Sequence, residues 1–240
     1  MKFSIKPKKN RLDQVVAWLS EEYEQPGASF YSNRTIIQNA FQNRHFHCVT
    51  NGSKTLAFCV FEIFGDYSIL HIAAVDHRIR GRGVGAFLVK NHLSYLAKNN
   101  VFAVWLECQP TSSVPFWHGM KFQNFPEHYD DFHEQIKMYR PTTKITAYSE
   151  VEGNAGILKL WDCEPYQSEN VLPRWSWPLH EKQGRLLAPI VHPANRNWNI
   201  AWHKNGLTVA EGKVKYFCAQ TRHPATFLIL RELPDISMVA

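Results

Sequence analysis

Apolar and polar residues alternate over positions 2–8, with Phe3 and Ile5 set against Lys2, Ser4 and Lys6, which predicts a half-buried strand. Leu12, Val15, Val16 and Leu19 then recur at helical spacing. This predicts a helix over Arg11–Tyr23, capped by Asn10 and stopped by Pro26-Gly27. Ile36, Ile37, Ala40 and Phe41 predict a second helix over Asn33–Asn43. Two apolar runs, His45–Thr50 and Lys54–Phe64, flank Asn51-Gly52, a strong hairpin signal. Gly65-Asp66 turns the chain into a strand at Tyr67–Val75. After a glycine-rich turn, Phe87, Leu88, His92, Leu93 and Leu96 mark a helix over Ala86–Lys98. Val101–Cys108 is continuously apolar and reads as a buried strand. A short helix starts at Ser112 or Ser113, with Pro115 tolerated in its first turn. Lys121–Phe125 and Gln135–Tyr139 read as a further strand pair.

The texture changes at Pro141. Beyond it no long amphipathic helix is visible, only short alternating runs: Lys144–Tyr148, Gly156–Leu160, Trp198–His203, Leu207–Ala210, Lys213–Cys218 and Thr226–Leu230. His203-Lys204-Asn205-Gly206 is another hairpin turn. Two domains are therefore expected, 1–141 and a smaller β-rich one at 142–240.

Composition narrows the class. With 45% hydrophobic and 20% charged residues over 240 positions, the chain is neither disordered nor fibrous. No run approaches the ~18 consecutive apolar residues of a membrane span, and the N-terminus lacks the apolar core of a secretory signal. Five cysteines, odd in number and without a CxxC, signal neither a disulfide framework nor a zinc site. A reduced, cytoplasmic protein is expected. The net charge of +6 is spread along the chain. Its densest run, Lys2, Lys6, Lys8, Lys9 and Arg11, suits a solvated strand edge better than a patch for an anionic partner.

The stretch that carries chemistry is the turn Arg80-Gly81-Arg82-Gly83-Val84-Gly85, between a strand and a helix. Glycines free main-chain N–H groups to face outward, the helix start adds its positive dipole end, and two arginines add charge. Such a corner prefers a pyrophosphate. No Gly-Lys-Ser/Thr closes it as in a nucleotide-triphosphate loop, and the spacing is not GxGxxG.

Val75-Asp76-His77-Arg78-Ile79-Arg80-Gly81-Arg82-Gly83-Val84-Gly85 resembles the acyl-CoA motif of the GNAT N-acetyltransferases, R/Q-x-x-G-x-G/A. The segment Phe116-Trp117-His118-Gly119-Met120-Lys121-Phe122 resembles the family's later F-Y-x-x-x-G-F. The resemblance covers about residues 1–140 and implies an α+β fold: a mixed, mostly antiparallel sheet flanked by helices. It implies acetyl-CoA as acyl donor, held at its pyrophosphate by the amides of Arg80, Gly81, Arg82, Gly83, Val84 and Gly85. It also implies that the strand end at Ala74 and Val75 lends backbone to the pantetheine arm, beside a gap where this strand splays from Val101–Cys108. The amine acceptor would attack directly. Three positions depart from the family pattern. Trp117 stands where a tyrosine general acid is frequent, Ser112 and Ser113 where an asparagine is frequent, and Lys121 before the last phenylalanine.

A primary amine with pKa ~10.4 is neutral in about one molecule in 2,500 at pH 7, so presenting the nucleophile costs about 4.6 kcal/mol. A base near pKa ~6.5 suits that deprotonation. His71 is the leading candidate: it precedes Val75 by four residues, and its pattern Leu70-His71-Ile72-Ala73-Ala74-Val75 is similar to the Leu-His-x-x-Ala-Val of the arylalkylamine members, whose histidine is a base. Glu107 is a second candidate, at the end of the partner strand, and Glu62 a weaker one. Cys108 is expected to be a small buried hydrophobe. His45-x-His47 shows no third ligand, so no metal is expected.

Five of the eight tryptophans (Trp161, Trp175, Trp177, Trp198 and Trp202) lie in the second domain. Arg174 and Arg196 beside tryptophans leave stacking of nucleic-acid bases open, but building a core is the simpler use. The expected function is an acetyl-CoA-dependent N-acetyltransferase. The alternatives are a catalytically degenerate CoA-binding module and an acyltransferase acting on nucleic acid; a homodimer is compatible with each.

Overall fold

The computed structural model describes residues 1–24, 29–127, 136–149, 156–182, 185–217 and 227–233. The chain divides into two compact units, Met1–Asn124 with Gln135–Thr142, and Phe125–Glu134 with Thr143–Ala240.

The first unit runs β1 (Lys2–Ser4), α1 (Lys9–Tyr23), α2 (Arg34–Gln42), β2 (Phe46–Asn51), β3 (Lys54–Phe64), β4 (Tyr67–Val75), α3 (Val84–Lys98), β5 (Ala103–Glu107), α4 (Val114–Gly119), β6 (Gln123–Asn124) and β7 (Lys137–Pro141). These strands form one seven-stranded sheet in the order β1-β2-β3-β4-β5-β7-β6. Every neighbouring pair is antiparallel except β4 and β5, which are joined through α3 and run parallel. β1 is a sheet edge and holds only Lys2 of the basic run; Lys6 and Lys8 follow it, and Lys9 and Arg11 lie in α1.

Strand alternation sends side chains to two cores. Ala57, Cys59 and Phe61 of β3 pack with Leu88, Val89 and Leu96 of α3 and with Trp117 of α4. Phe58 and Val60 pack on the other face with Leu12, Val15, Trp18 and Leu19 of α1 and Ile37 of α2. With both faces covered, β3 is apolar almost throughout, which is why its sequence reads as a run. α1 begins at Lys9 rather than Arg11: Lys8 is its cap, in extended backbone and without a side-chain capping bond, and Asn10 lies inside the helix.

The second unit holds β8 (Ile157–Leu160), β9 (Trp175–Pro178), β10 (Glu181–Lys182), β11 (Arg185–Pro193), β12 (Asn199–Lys204), β13 (Leu207–Lys213), α5 (Val214–Phe217) and β14 (Phe227–Glu232). A four-stranded sheet is ordered β13-β12-β8-β9 and a three-stranded sheet β10-β11-β14. The expected hairpin turn is present, with Asn205 and Gly206 at positive φ of 52° and 78°. Two expectations fail. The run from Lys213 is expected as a strand, but Val214–Phe217 turns into a helix that buries Val214 and Phe217, three residues apart. No strand forms at Lys144–Tyr148, where Thr146 instead bonds the carbonyls of Pro189 and Ala188. Trp161, Trp177, Trp198 and Trp202 are all buried, so these four serve the core and offer no open face to a base. No helix among the described residues is long and apolar enough to cross a membrane.

Candidate active site

Where β4 ends, Asp76 begins the turn. Its carboxylate accepts the Arg78 main-chain N–H at 3.1 Å and pairs side-on with the Arg78 guanidinium at 2.9 and 2.8 Å. Burial alone would push this carboxyl up, but the Arg78 contacts outweigh it and hold Asp76 below the usual carboxylate range. Arg78 also donates to Glu21 at 2.9 Å, while Arg80 donates to Glu22 and to the Val75 carbonyl. The last turn of α1 thus braces the turn through two adjacent glutamates.

Beyond this brace, Gly81 and Gly83 both have φ of +77°, and nothing lies within 4 Å of where a side chain would start. That conformation is strained for any residue with a Cβ. Gly83 caps α3 without a side-chain bond. Among the described residues, no hydrogen bond takes up the main-chain N–H of Gly81, Arg82, Gly83, Val84 or Gly85. Gly85 packs closely: a Cβ there would stand 3.4 Å from the Phe116 ring and from the Val75 side chain, at ordinary contact distance. Arg82 is exposed, whereas Arg80 is committed to Glu22; of the two arginines only Arg82 is placed to offer its charge outward.

The neighbouring strands diverge. β4 and β5 pair only at Tyr67–Ala103, Ser68–Val104 and Ile69–Trp105, although β4 continues to Val75 and β5 to Glu107. A wedge therefore opens beside Val75, next to the free amides. Ala74 buries its side chain in the core under α1, so only its main chain is available there.

His71 lies at a β-bulge. Val60 pairs with Ile72 and Phe61 with Leu70, leaving His71 as the extra residue of β4. The bulge reverses the alternation: Leu70 joins the core under α3, and Ile72 the core under α1 and α2. The four-residue spacing to Val75 therefore does not fix the face of His71. Its contact does: His71 Nε2 lies 3.5 Å from Glu62 Oε2, both side chains about 40–46% exposed. Sequence ranked Glu62 low because it alternates with apolar neighbours; the bulge brings it to His71. Glu107 is exposed at the end of β5. Cys108 is buried, its sulfur 3.2 Å from the Ser113 hydroxyl.

The model of the acetyltransferase (GNAT) family matches residues 12–122. Residues 12–122 form a GNAT-family acetyltransferase domain. No curated protein sequence matches the chain. Among solved structures, Ard1 from Thermoplasma volcanium is similar over 60% of this chain and 98% of its own, with 16% identity and a TM-score of 0.47. The ribosomal-protein-S18-alanine N-acetyltransferase from Escherichia coli is similar over 63% and 99%, with 19% identity and a TM-score of 0.46. The PaiA N-acetyltransferase from Thermoplasma acidophilum, solved in complex with coenzyme A, is similar over 59% and 99%, with 15% identity and a TM-score of 0.45.

Within this GNAT domain the departures noted in the sequence acquire physical content. Trp117 is buried between Phe116 and Phe122, at ring separations of 4.9 and 5.1 Å, and its indole has no labile proton of phenol-like acidity. Ser113 donates its hydroxyl to the Pro110 carbonyl at 2.8 Å, ahead of α4. Lys121 takes the left-handed position after α4, with φ of 62°.

Proposed function

We propose that the GNAT domain binds acetyl-CoA and passes its acetyl group directly to an amine. The observation that carries this reading is the run of unengaged main-chain N–H groups from Gly81 to Gly85, at the mouth of the β4–β5 wedge. Such a run at a helix start accommodates a pyrophosphate, whose oxygens would accept these N–H groups while Arg82 adds charge. The pantetheine arm would follow the unpaired edge of β4 at Ala74 and Val75, bringing the thioester into the wedge.

In the reaction, the acceptor ammonium first loses a proton, and the neutral amine then attacks the thioester carbonyl. The tetrahedral intermediate gives up the amine's second proton to water and collapses to an amide and the CoA thiolate. His71 takes the first proton, with Glu62 orienting the ring and offsetting the charge it gains. Glu107, at the other strand end, is the alternative base, through water. With Trp117 in the general-acid position, the thiolate is reprotonated by solvent or by a proton returned from the acceptor.

The test is acetyl-CoA turnover across small amines, peptides and nucleic-acid bases. Wild type should acetylate at least one amine class, with His71→Ala lowering kcat by roughly 10²–10⁴. Unchanged kcat in His71→Ala together with a loss in Glu107→Gln would transfer the role to Glu107. The buried Trp117 favours one second reading, a CoA-binding module without turnover. Acetyl-CoA binding with no acceptor acetylated across the panel would decide for it.

A further inference from the structure

Three potential metal ligands meet in the core of the first unit, away from the wedge. His47 comes from β2, Cys59 from the facing position of β3, and His92 from the middle of α3. Their ligand atoms all lie within 4.8 Å of one another, and each residue is 1% exposed. The Nδ1 atoms of His47 and His92 are 3.2 Å apart. That contact occupies one nitrogen of each ring; the buried Nε2 of His92 has no hydrogen-bond partner among the described residues. A buried polar atom without a partner carries a desolvation cost, and here it sits beside a second imidazole and a thiol.

We infer that His47, Cys59 and His92 form a buried three-coordinate site for a soft monovalent ion, Cu(I). Two neutral imidazoles and one thiolate are a donor set that suits copper and zinc alike. Charge and coordination number separate them. Cu(I) with one thiolate is neutral overall, whereas Zn(II) would leave a net positive charge in the core, with no carboxylate in the group to offset it. Zinc also wants a fourth ligand. No fourth His, Cys, Asp or Glu joins the group among the described residues. The surroundings are aromatic: the rings of Phe61 and Tyr95 each stand 4.5 Å from that of His47, Phe3 is 5.1 Å away, and Phe61 is 4.7 Å from His92. Such walls leave little place for a water ligand.

The chemistry balances without a redox step. Cu(I) enters as the monovalent ion, the Cys59 thiol gives up its proton, a copper–sulfur bond forms, and the two imidazoles donate lone pairs. The imidazoles bind as neutral donors. Burial pushes the Cys59 thiol up, so the metal must displace its proton. The site ties α3, whose first turn is the candidate pyrophosphate cradle, to β2 and β3.

The test is an anaerobic titration of the full-length protein with Cu(I) held by a chromophoric chelator, with Zn(II) titrated in parallel. One Cu(I) per chain should bind, with release of one proton, and the copper absorption edge should report two nitrogens and one sulfur. Cys59→Ala and His92→Phe should each weaken binding by roughly a hundredfold or more, and Cu(I) should raise the melting temperature of wild type but not of either variant. Circular dichroism establishes that the variants are folded; if neither folds, the wild-type absorption edge decides alone. No Cu(I) bound to folded wild type, an edge without sulfur, tighter Zn(II) than Cu(I), or undiminished binding in a folded variant would overturn the inference.

Discussion

Lys121 shows how a single residue can depart from what its backbone wants. Its N–H bonds the His118 carbonyl at 2.8 Å, the Phe122 N–H bonds that of Trp117 at 3.0 Å, and Phe122 packs on Trp117. This is the double-bonded helix ending that ordinarily places glycine in the left-handed position. A Cβ there costs roughly 1–2 kcal/mol, partly offset by the freedom glycine adds to the unfolded chain. Lys121→Gly should therefore raise stability by up to ~1 kcal/mol, read as a shift in urea midpoint at constant slope; an unchanged or lower midpoint would contradict this. The His71–Glu62 pair gives a second prediction at this scale. Glu62→Gln should lower acetyl-transfer kcat by less than His71→Ala, and the double variant should be no worse than His71→Ala alone, because Glu62 acts through the ring. Additive losses would mean the two residues work separately.

At the scale of elements, the candidate site depends on how α1, the turn and α3 meet. Glu21 and Glu22 sit at the end of α1, hold Arg78 and Arg80, and so fix where α3 begins. Asp76 and Glu22 are the buried members of this network, at 6% and 9% exposure. Asp76→Asn removes the anion facing Arg78, and we expect acetyl-CoA affinity to fall roughly tenfold with little change in kcat, measured as a split between KM and kcat. An unaltered KM would show that the turn keeps its shape without the brace. The strand–turn–helix unit was legible from sequence because glycine spacing and an apolar stripe each have a local cause. The bulge was not: an extra residue in β4 leaves no mark in composition, and it changes both the face of His71 and the partner it finds. The convergence of His47, Cys59 and His92 was hidden for a related reason. Each sits in an ordinary apolar pattern, and only the pairing of β2, β3 and α3 brings them together; the one trace was a histidine on the buried stripe of α3. Pro189 and Pro193 similarly disguised β11, since proline argues against a strand.

At the scale of the molecule, the two units differ in what they bury. The first covers both faces of its sheet with helices, and the order of its elements was readable because each helix has a stripe. The second builds its core from tryptophans on or beside short strands, where alternation over four to six residues is a weak signal, and the run after β13 alternates like a strand but folds as a helix. Its core also holds His192, packed against Trp175 at 4.5 Å and Trp177 at 5.5 Å. Burial lowers the pKa of His192 from 6.5 to about 3. The folded state thus binds its proton less readily than the unfolded state, so His192 favours folding above pH 6.5 and progressively disfavours it as pH falls toward about 3. By about pH 5 the loss should be about 2 kcal/mol relative to neutral pH. His192→Gln should flatten this part of the pH–stability curve of the second unit; an identical curve in wild type and variant would exclude His192 as its source.

Calorimetric titration of acetyl-CoA into wild type, His71→Ala and Gly83→Val probes the pyrophosphate cradle most directly. Wild type and His71→Ala should bind one molecule per chain with similar affinity. Gly83→Val, folded by circular dichroism but strained at a φ of +77°, should bind at least roughly tenfold more weakly. Absence of binding to wild type, or equal binding by Gly83→Val, would contradict the account.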